Sequence, residues 1–187
     1  MNHHVRRLTP TTIRPGFALG VILCFCVLIA LPFLGEMGQR ERGTRGACQA
    51  NMHSLDLALA SFCYPPITSY PSDLSMLSNE VDAYMFICSG SKGEPGAVSN
   101  AMEWMDYIYV AGLRPSAQPG TPILICPPEN HQGKGGCILD ADHSTRWYPS
   151  PGIDSIISNM LSPTSAYTVV VSKRLTERTG GKYTSRP

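Results

Sequence analysis

The sequence is poor in charge: only 16% of its 187 residues are Asp, Glu, Lys or Arg, and the formal net charge is +1. Nucleic-acid binding wants a clustered basic face, so the composition gives no electrostatic case for it. Familiar catalytic signatures are also missing. There is no Gly-x-Ser-x-Gly, no phosphate-binding glycine loop and no His-Glu-x-x-His. No internal repeat is visible, and with 17 glycines and 16 prolines the chain favours turns over many long helices. These absences point to a role other than catalysis.

What the chain does hold is one long apolar run and seven cysteines. The run is "FALGVILCFCVLIALPFL", Phe17 to Leu34, without a charged residue. A bilayer span needs about 20 predominantly apolar residues, so this stretch is expected to be a retained transmembrane helix. Cys24 and Cys26 lie inside it and read as small hydrophobes. Arg6, Arg7 and Arg14 precede the span while Arg40, Arg42 and Arg45 follow it, so the Lys/Arg rule does not orient it. A short inner tail with the bulk of the chain outside the cytoplasmic membrane is the expected arrangement. The remaining cysteines, Cys48, Cys63, Cys88, Cys126 and Cys137, would then face an oxidising space. Cys126 and Cys137 flank a glycine-rich loop and are candidates for a disulfide that closes it.

Residues 35–46 are polar and read as a linker or a frayed helix. Beyond them Cys48, Met52, Leu55, Leu59 and Phe62 recur at the spacing of one helix face, and prolines 65 and 66 end the pattern. "YPSDLSMLSNEVD" reads as a short helix capped by Ser72 or Asp73, and "AYMFICS" as a short strand. "MDYIYVAGL", "TPILICPP", "GCILDAD" and "STRWYPS" are expected strands, the last two joined by a tight turn near Ala141 to His143. "GIDSIISNML" suits a helix and "AYTVVVSK" one more strand, while 163–187 as a whole reads as a basic, mobile tail. The expected domain layout is therefore 1–16 leader, 17–34 membrane helix, 35–46 linker, 47–162 globular domain and 163–187 tail. Its fold class is α+β, a long N-terminal helix continuing into an amphipathic helix packed on a small antiparallel sheet.

The chemically richest stretch is "NHQGKGGCILDADHSTRWY", Asn130 to Tyr148. Structurally, Gly133, Gly135 and Gly136 permit the backbone of a hairpin or bulge, and Asp140 and Asp142 can hold local amides. Trp147 and Tyr148 supply apolar area to a small sheet. As a cation site, Asp140 and Asp142 with loop carbonyls would suit calcium. His131 with His143 and Cys137 would suit zinc, although their spacing matches no standard pattern. Asp140, Asp142 and His131 are the candidate metal ligands. Cys137 and His143 as a catalytic pair would still need a third group to orient the base.

Taken in order, "RGACQANMHSLDLALASF", "YPSDLSML", "AYMFICSGS", "DYIYVAGL" and "TPILICPPENHQGKGGCILDADHSTRWY" resemble the prepilin-like, type II secretion pseudopilin-like proteins. The resemblance spans roughly residues 14 to 161. Cys48 and Asn51 match that family's Cys-x-x-Asn helix motif, Cys88 its Phe-x-Cys strand, and Tyr107 and Tyr109 its Tyr-x-Tyr strand. Asn130, His131, Asp142 and Trp147 match its final hairpin, with His143 where the family has glycine. The resemblance implies a processing site between Gly16 and Phe17, helix packing with like subunits, and contact with secretion machinery and the lipid bilayer, while the charge composition argues for no nucleic acid. It also implies a glutamate five residues into the processed chain, where this sequence has Val21. A membrane-tethered binding module that does not polymerise is the alternative this departure favours.

Overall fold

The computed structural model describes the backbone of residues 15–64 and 66–185, with the side chains of 24–27, 29, 39–64 and 66–185. Two compact units divide the chain, Met1–Glu41 and Arg42–Pro187. Helix α1 runs from Pro15 to Phe62. Residues 35–46 are helical throughout, so the expected linker is a helix. In the first unit the described apolar side chains are exposed: Phe25, Val27 and Ile29 are 65%, 50% and 53% accessible. Among the described residues no helix is long and apolar enough to cross a membrane. Most side chains of the expected span 17–34, and the leader before Pro15, lie outside the described residues.

In the second unit α1 behaves as its spacing demands. Cys48, Met52, Leu55 and Leu59 fall on one face and are fully buried. The helix stops at Phe62, ahead of the two prolines, because a residue before proline is pushed out of the helical region. A five-stranded antiparallel sheet follows: β1 (Ile108–Ala111), β2 (Pro122–Ile125), β3 (Gly135–Asp140), β4 (Thr145–Pro149) and β5 (Thr168–Val171). The spatial order is β4-β3-β2-β1-β5. Tyr109 faces Leu124, which faces Leu139, and Ile108 faces Ile125, which faces Ile138. Pro122, which cannot donate to the ladder, sits where the β2–β3 register shifts.

Alternation along these strands makes two cores. Tyr107, Tyr109, Leu124, Cys126, Cys137 and Leu139 join the α1 face. Ile108, Val110, Ile125 and Ile138 point the other way, under Ile153 and Ile157 of α3 (Ser150–Met160) and Leu175 of α4 (Lys173–Arg178). A four-residue helix, α2 (Ala101–Trp104), leads into β1. The unit is thus helix, sheet and helices in three layers, which is why the central strands read as near-continuous apolar runs.

Two expectations are corrected. "AYMFICS" is not a strand: Ala83–Phe86 is a 3-10 helix, because the Asp82 carboxylate accepts from Tyr84 N at 2.9 Å and caps it. Residues 168–178 are not a mobile tail, since β5 pairs with β1 along its whole length and α4 follows. Ser172 caps α4 by accepting from Leu175 N at 3.0 Å, and Tyr183 is buried. Two of the basic residues that suggested a tail are engaged: Arg178 with Asp106, and Lys182 with Glu129 and Asp154.

Candidate functional site: a buried cluster of thiols and an imidazole

Cys48, Cys88, Cys126 and His131 converge between α1 and the sheet. One side-chain donor atom from each lies within 4.8 Å of every other. All three thiols are fully buried and His131 is 6% accessible. Four separate pieces of backbone bring them together. Cys48 opens the buried face of α1, Cys88 ends the apolar segment after Ala83–Phe86, and Cys126 follows β2. His131 closes the 3-10 turn Pro128–His131, which Gln132 terminates with a left-handed backbone at φ 59°.

The local sequence holds each ligand in place. Asn51, one turn beyond Cys48, donates from Nδ2 to Ile87 O at 2.9 Å, and Tyr107 Oη donates to the same carbonyl at 3.2 Å. The Cys-x-x-Asn helix motif and the first tyrosine of the Tyr-x-Tyr strand therefore grip the backbone just before Cys88. Cys88 N donates to Asp106 Oδ2 at 3.1 Å, and Arg178 Nη1 donates to Asp106 Oδ1 at 3.1 Å. Arg178 also donates to Asn130 Oδ1, while Asn130 Nδ2 reaches Asp106 O at 2.8 Å. His131 meets the Trp147 ring edge-on with centroids 4.9 Å apart, and the Arg45 guanidinium lies 4.0 Å over the same ring. Gly90 is needed where it is: a Cβ there would stand 2.4 Å from Asn130 O and 2.9 Å from His131 Nδ1.

Cys88 Sγ lies 3.3 Å from His131 Nε2 and accepts from Gly90 N at 3.3 Å. Asn130 Nδ2 approaches Cys126 Sγ at 3.3 Å. Hydrogen bonds from Cys126, Cys48 and His131 hold the Cys88 thiol below its ordinary pKa. Cys48 goes up because it is the donor toward Cys126, Cys137 and Cys88, and Cys126 goes up because burial penalises its thiolate. Such a set can bind a soft or borderline metal ion or close a disulfide. A thiol nucleophile needs a route to its substrate. Two surface grooves, one lined by Gly112 and Tyr167 and one by Ser54 and Asp82, include none of these four residues.

The expected ligand set is redistributed. Of Asp140, Asp142 and His131, only His131 joins the cluster. The Asp140 carboxylate accepts from Arg146 Nε at 3.0 Å, and that of Asp142 accepts from Ser144 N and Oγ at 3.1 and 2.6 Å. His143 keeps the positive φ, 64°, that its turn requires and binds Asp56 Oδ1 through Nδ1 at 2.8 Å. The expected Cys126–Cys137 bridge is not formed, because all seven cysteines are free. The two face each other across β2 and β3, joined by the backbone bond Cys126 N to Cys137 O of 2.8 Å. Gly16 and Phe17 lie in the first turn of α1, their side chains outside the described residues.

The signal missed in the sequence was positional: Cys48, Cys88 and Cys126 each stand at one end of an apolar segment, and Cys126 precedes His131 by one proline-bounded turn. Comparison with protein-family models, with curated proteins and with solved structures finds no match to this chain.

Proposed function

We propose that the chain is a pseudopilin-like structural subunit of a type II secretion or pilus-like assembly. In this reading the N-terminal part of α1 is held in the cytoplasmic membrane and packs against like subunits, with the α+β domain on the extracytoplasmic side. What supports it is the division of labour along one helix. From Cys48 to Leu59 the apolar face of α1 is consumed by its own domain, while Phe25, Val27 and Ile29 are exposed. Apolar side chains without cover gain free energy by entering lipid or meeting a second helix.

Val21 favours a second reading, a membrane-tethered module that never polymerises. A glutamate at that position would be costly in lipid unless paired with a neighbour, and its absence removes one incentive to assemble. Co-expression of the full chain with a prepilin-type assembly system, followed by shearing and fractionation, separates the two. The structural reading expects the chain in sheared, pelletable filaments, cross-linked to like subunits through residues 17–34. A monomer that stays in the membrane supports the tethered module, and a chain found only in the soluble cytoplasmic fraction contradicts both.

A further inference from the structure

We propose that Cys48, Cys88, Cys126 and His131 bind a single zinc ion as a closed, four-coordinate structural centre. Three thiolates and one imidazole make a standard structural zinc set, and four protein ligands leave no open position for a substrate. The burial of all four residues fits that closed role. It also separates this site from the acidic, oxygen-rich loop that calcium would take.

The four donor atoms lie within reach of one ion. With Zn–S of about 2.3 Å and Zn–N of about 2.0 Å, ligand atoms stand roughly 3.5–3.8 Å apart. Cys88 Sγ and His131 Nε2 are 3.3 Å apart, and no pair among the four exceeds 4.8 Å.

A second observation concerns charge. Three thiolates around a divalent ion leave a net negative charge in the core, and buried charge is tolerated only when hydrogen-bonded. Donors are already aimed at two of the sulfurs: Gly90 N at Cys88 Sγ and Asn130 Nδ2 at Cys126 Sγ, each at 3.3 Å. Asn130 is itself fixed by Asp106 and Arg178. Outer partners of this kind orient metal ligands and tune them. Neutral thiols are weak acceptors and would give these donors little to bind. Loading releases a proton from each ligand atom that enters protonated, so no oxidant or reductant takes part.

The centre would act as a staple. It joins α1 to the segment after Ala83–Phe86, to the end of β2 and to the turn Pro128–His131, parts of the chain far apart in sequence. Cys137 lies beside Cys48 but outside the ligand group, which makes it an internal control.

The test uses the full chain purified in detergent without chelator or added metal. Elemental analysis and native mass spectrometry should find one zinc per chain. Denaturation without reductant should leave all seven cysteines free to alkylate. Cys137→Ser and Cys63→Ser should keep the zinc, whereas Cys126→Ser and His131→Ala should lose at least ten-fold in zinc affinity. Should those two variants not fold, the wild-type chain stripped of metal and titrated with cobalt(II) still decides. A tetrahedral thiolate-rich site develops intense visible bands at one equivalent, and zinc bleaches them. A disulfide among Cys48, Cys88 and Cys126 would overturn the proposal, as would iron at one equivalent, or a folded chain that neither carries zinc nor takes up cobalt.

Discussion

The Cys88 thiol lies 3.3 Å from the His131 imidazole, although 43 residues of chain separate them. That contact exists because the backbone after Cys88 passes directly under the turn that carries His131, and Gly90 makes the passage possible. Gly90→Ala would put a methyl group 2.4 Å from Asn130 O. A backbone oxygen cannot swing aside as a flexible side chain can, so the turn must shift. The expected cost is about 1–3 kcal/mol, the usual range for overpacking. Urea unfolding of the full chain in detergent measures it, and an unchanged midpoint would contradict the close approach.

His143 couples the β3–β4 turn to α1. The turn needs a positive φ, and glycine adopts it more easily than histidine. On backbone grounds alone His143→Gly should stabilise. It should instead destabilise by about 1–3 kcal/mol, because Asp56, only 3% accessible, loses the partner it holds at 2.8 Å. The double variant His143→Gly/Asp56→Leu should recover most of that loss. Thermal melts of the two variants give opposite orders if the turn outweighs the hydrogen bond to Asp56.

Asp106 is fully buried and its ion-pair partner is Arg178, at 3.1 Å. Arg178→Met keeps most of the side-chain volume and removes the charge. Breaking a buried pair from one side costs about 3–5 kcal/mol. Here the lower end is expected, since Arg178 is 32% exposed and Ser91 also donates to Asp106. Chemical denaturation checks the size. Loss of less than about 1 kcal/mol would place the pair among ordinary surface bridges.

On the outer surface Lys182 bridges Glu129 at 2.8 Å and Asp154 at 2.9 Å. Partial burial raises the pKa of Asp154, but Lys182 and Ser150 Oγ outweigh it and the net shift is downward. A carboxylate whose folded value lies below its unfolded value of about 3.9 stabilises the fold above that pH, and the gain disappears as pH falls through the folded value. Both partners are partly exposed, so Lys182→Met should cost less than about 1 kcal/mol at neutral pH. Denaturation midpoints of wild type and variant should converge below about pH 4. A gap that stays constant into acid would mean that Lys182 acts by packing.

Much of this architecture was legible in periodicity. The face Cys48, Met52, Leu55, Leu59 predicted the α1 seat, and period-2 patterns with proline or turn boundaries located β1 to β4. "AYMFICS" misled because its composition suits a strand, whereas a single capping carboxylate, Asp82, starts a 3-10 turn there. "AYTVVVSK" read as a strand and is β5, but the segment after it misled because Leu175 and Tyr183 are sparse among basic residues, and only the core under α3 and α4 reveals what they cover. The thiol cluster was the least legible feature. Its members come from four elements, and one-dimensional spacing paired Cys126 with its neighbour Cys137 rather than with Cys48 and Cys88.

In the proposed role α1 is membrane anchor at one end and domain spine at the other, delivered by prepilin-type processing. The mass of the N-terminal peptide, taken from protein recovered from native membranes, tests that directly. A chain that begins at Phe17 with a methylated amine is the predicted result. A chain that still begins at Met1, or that is cut beyond Leu34, would contradict it.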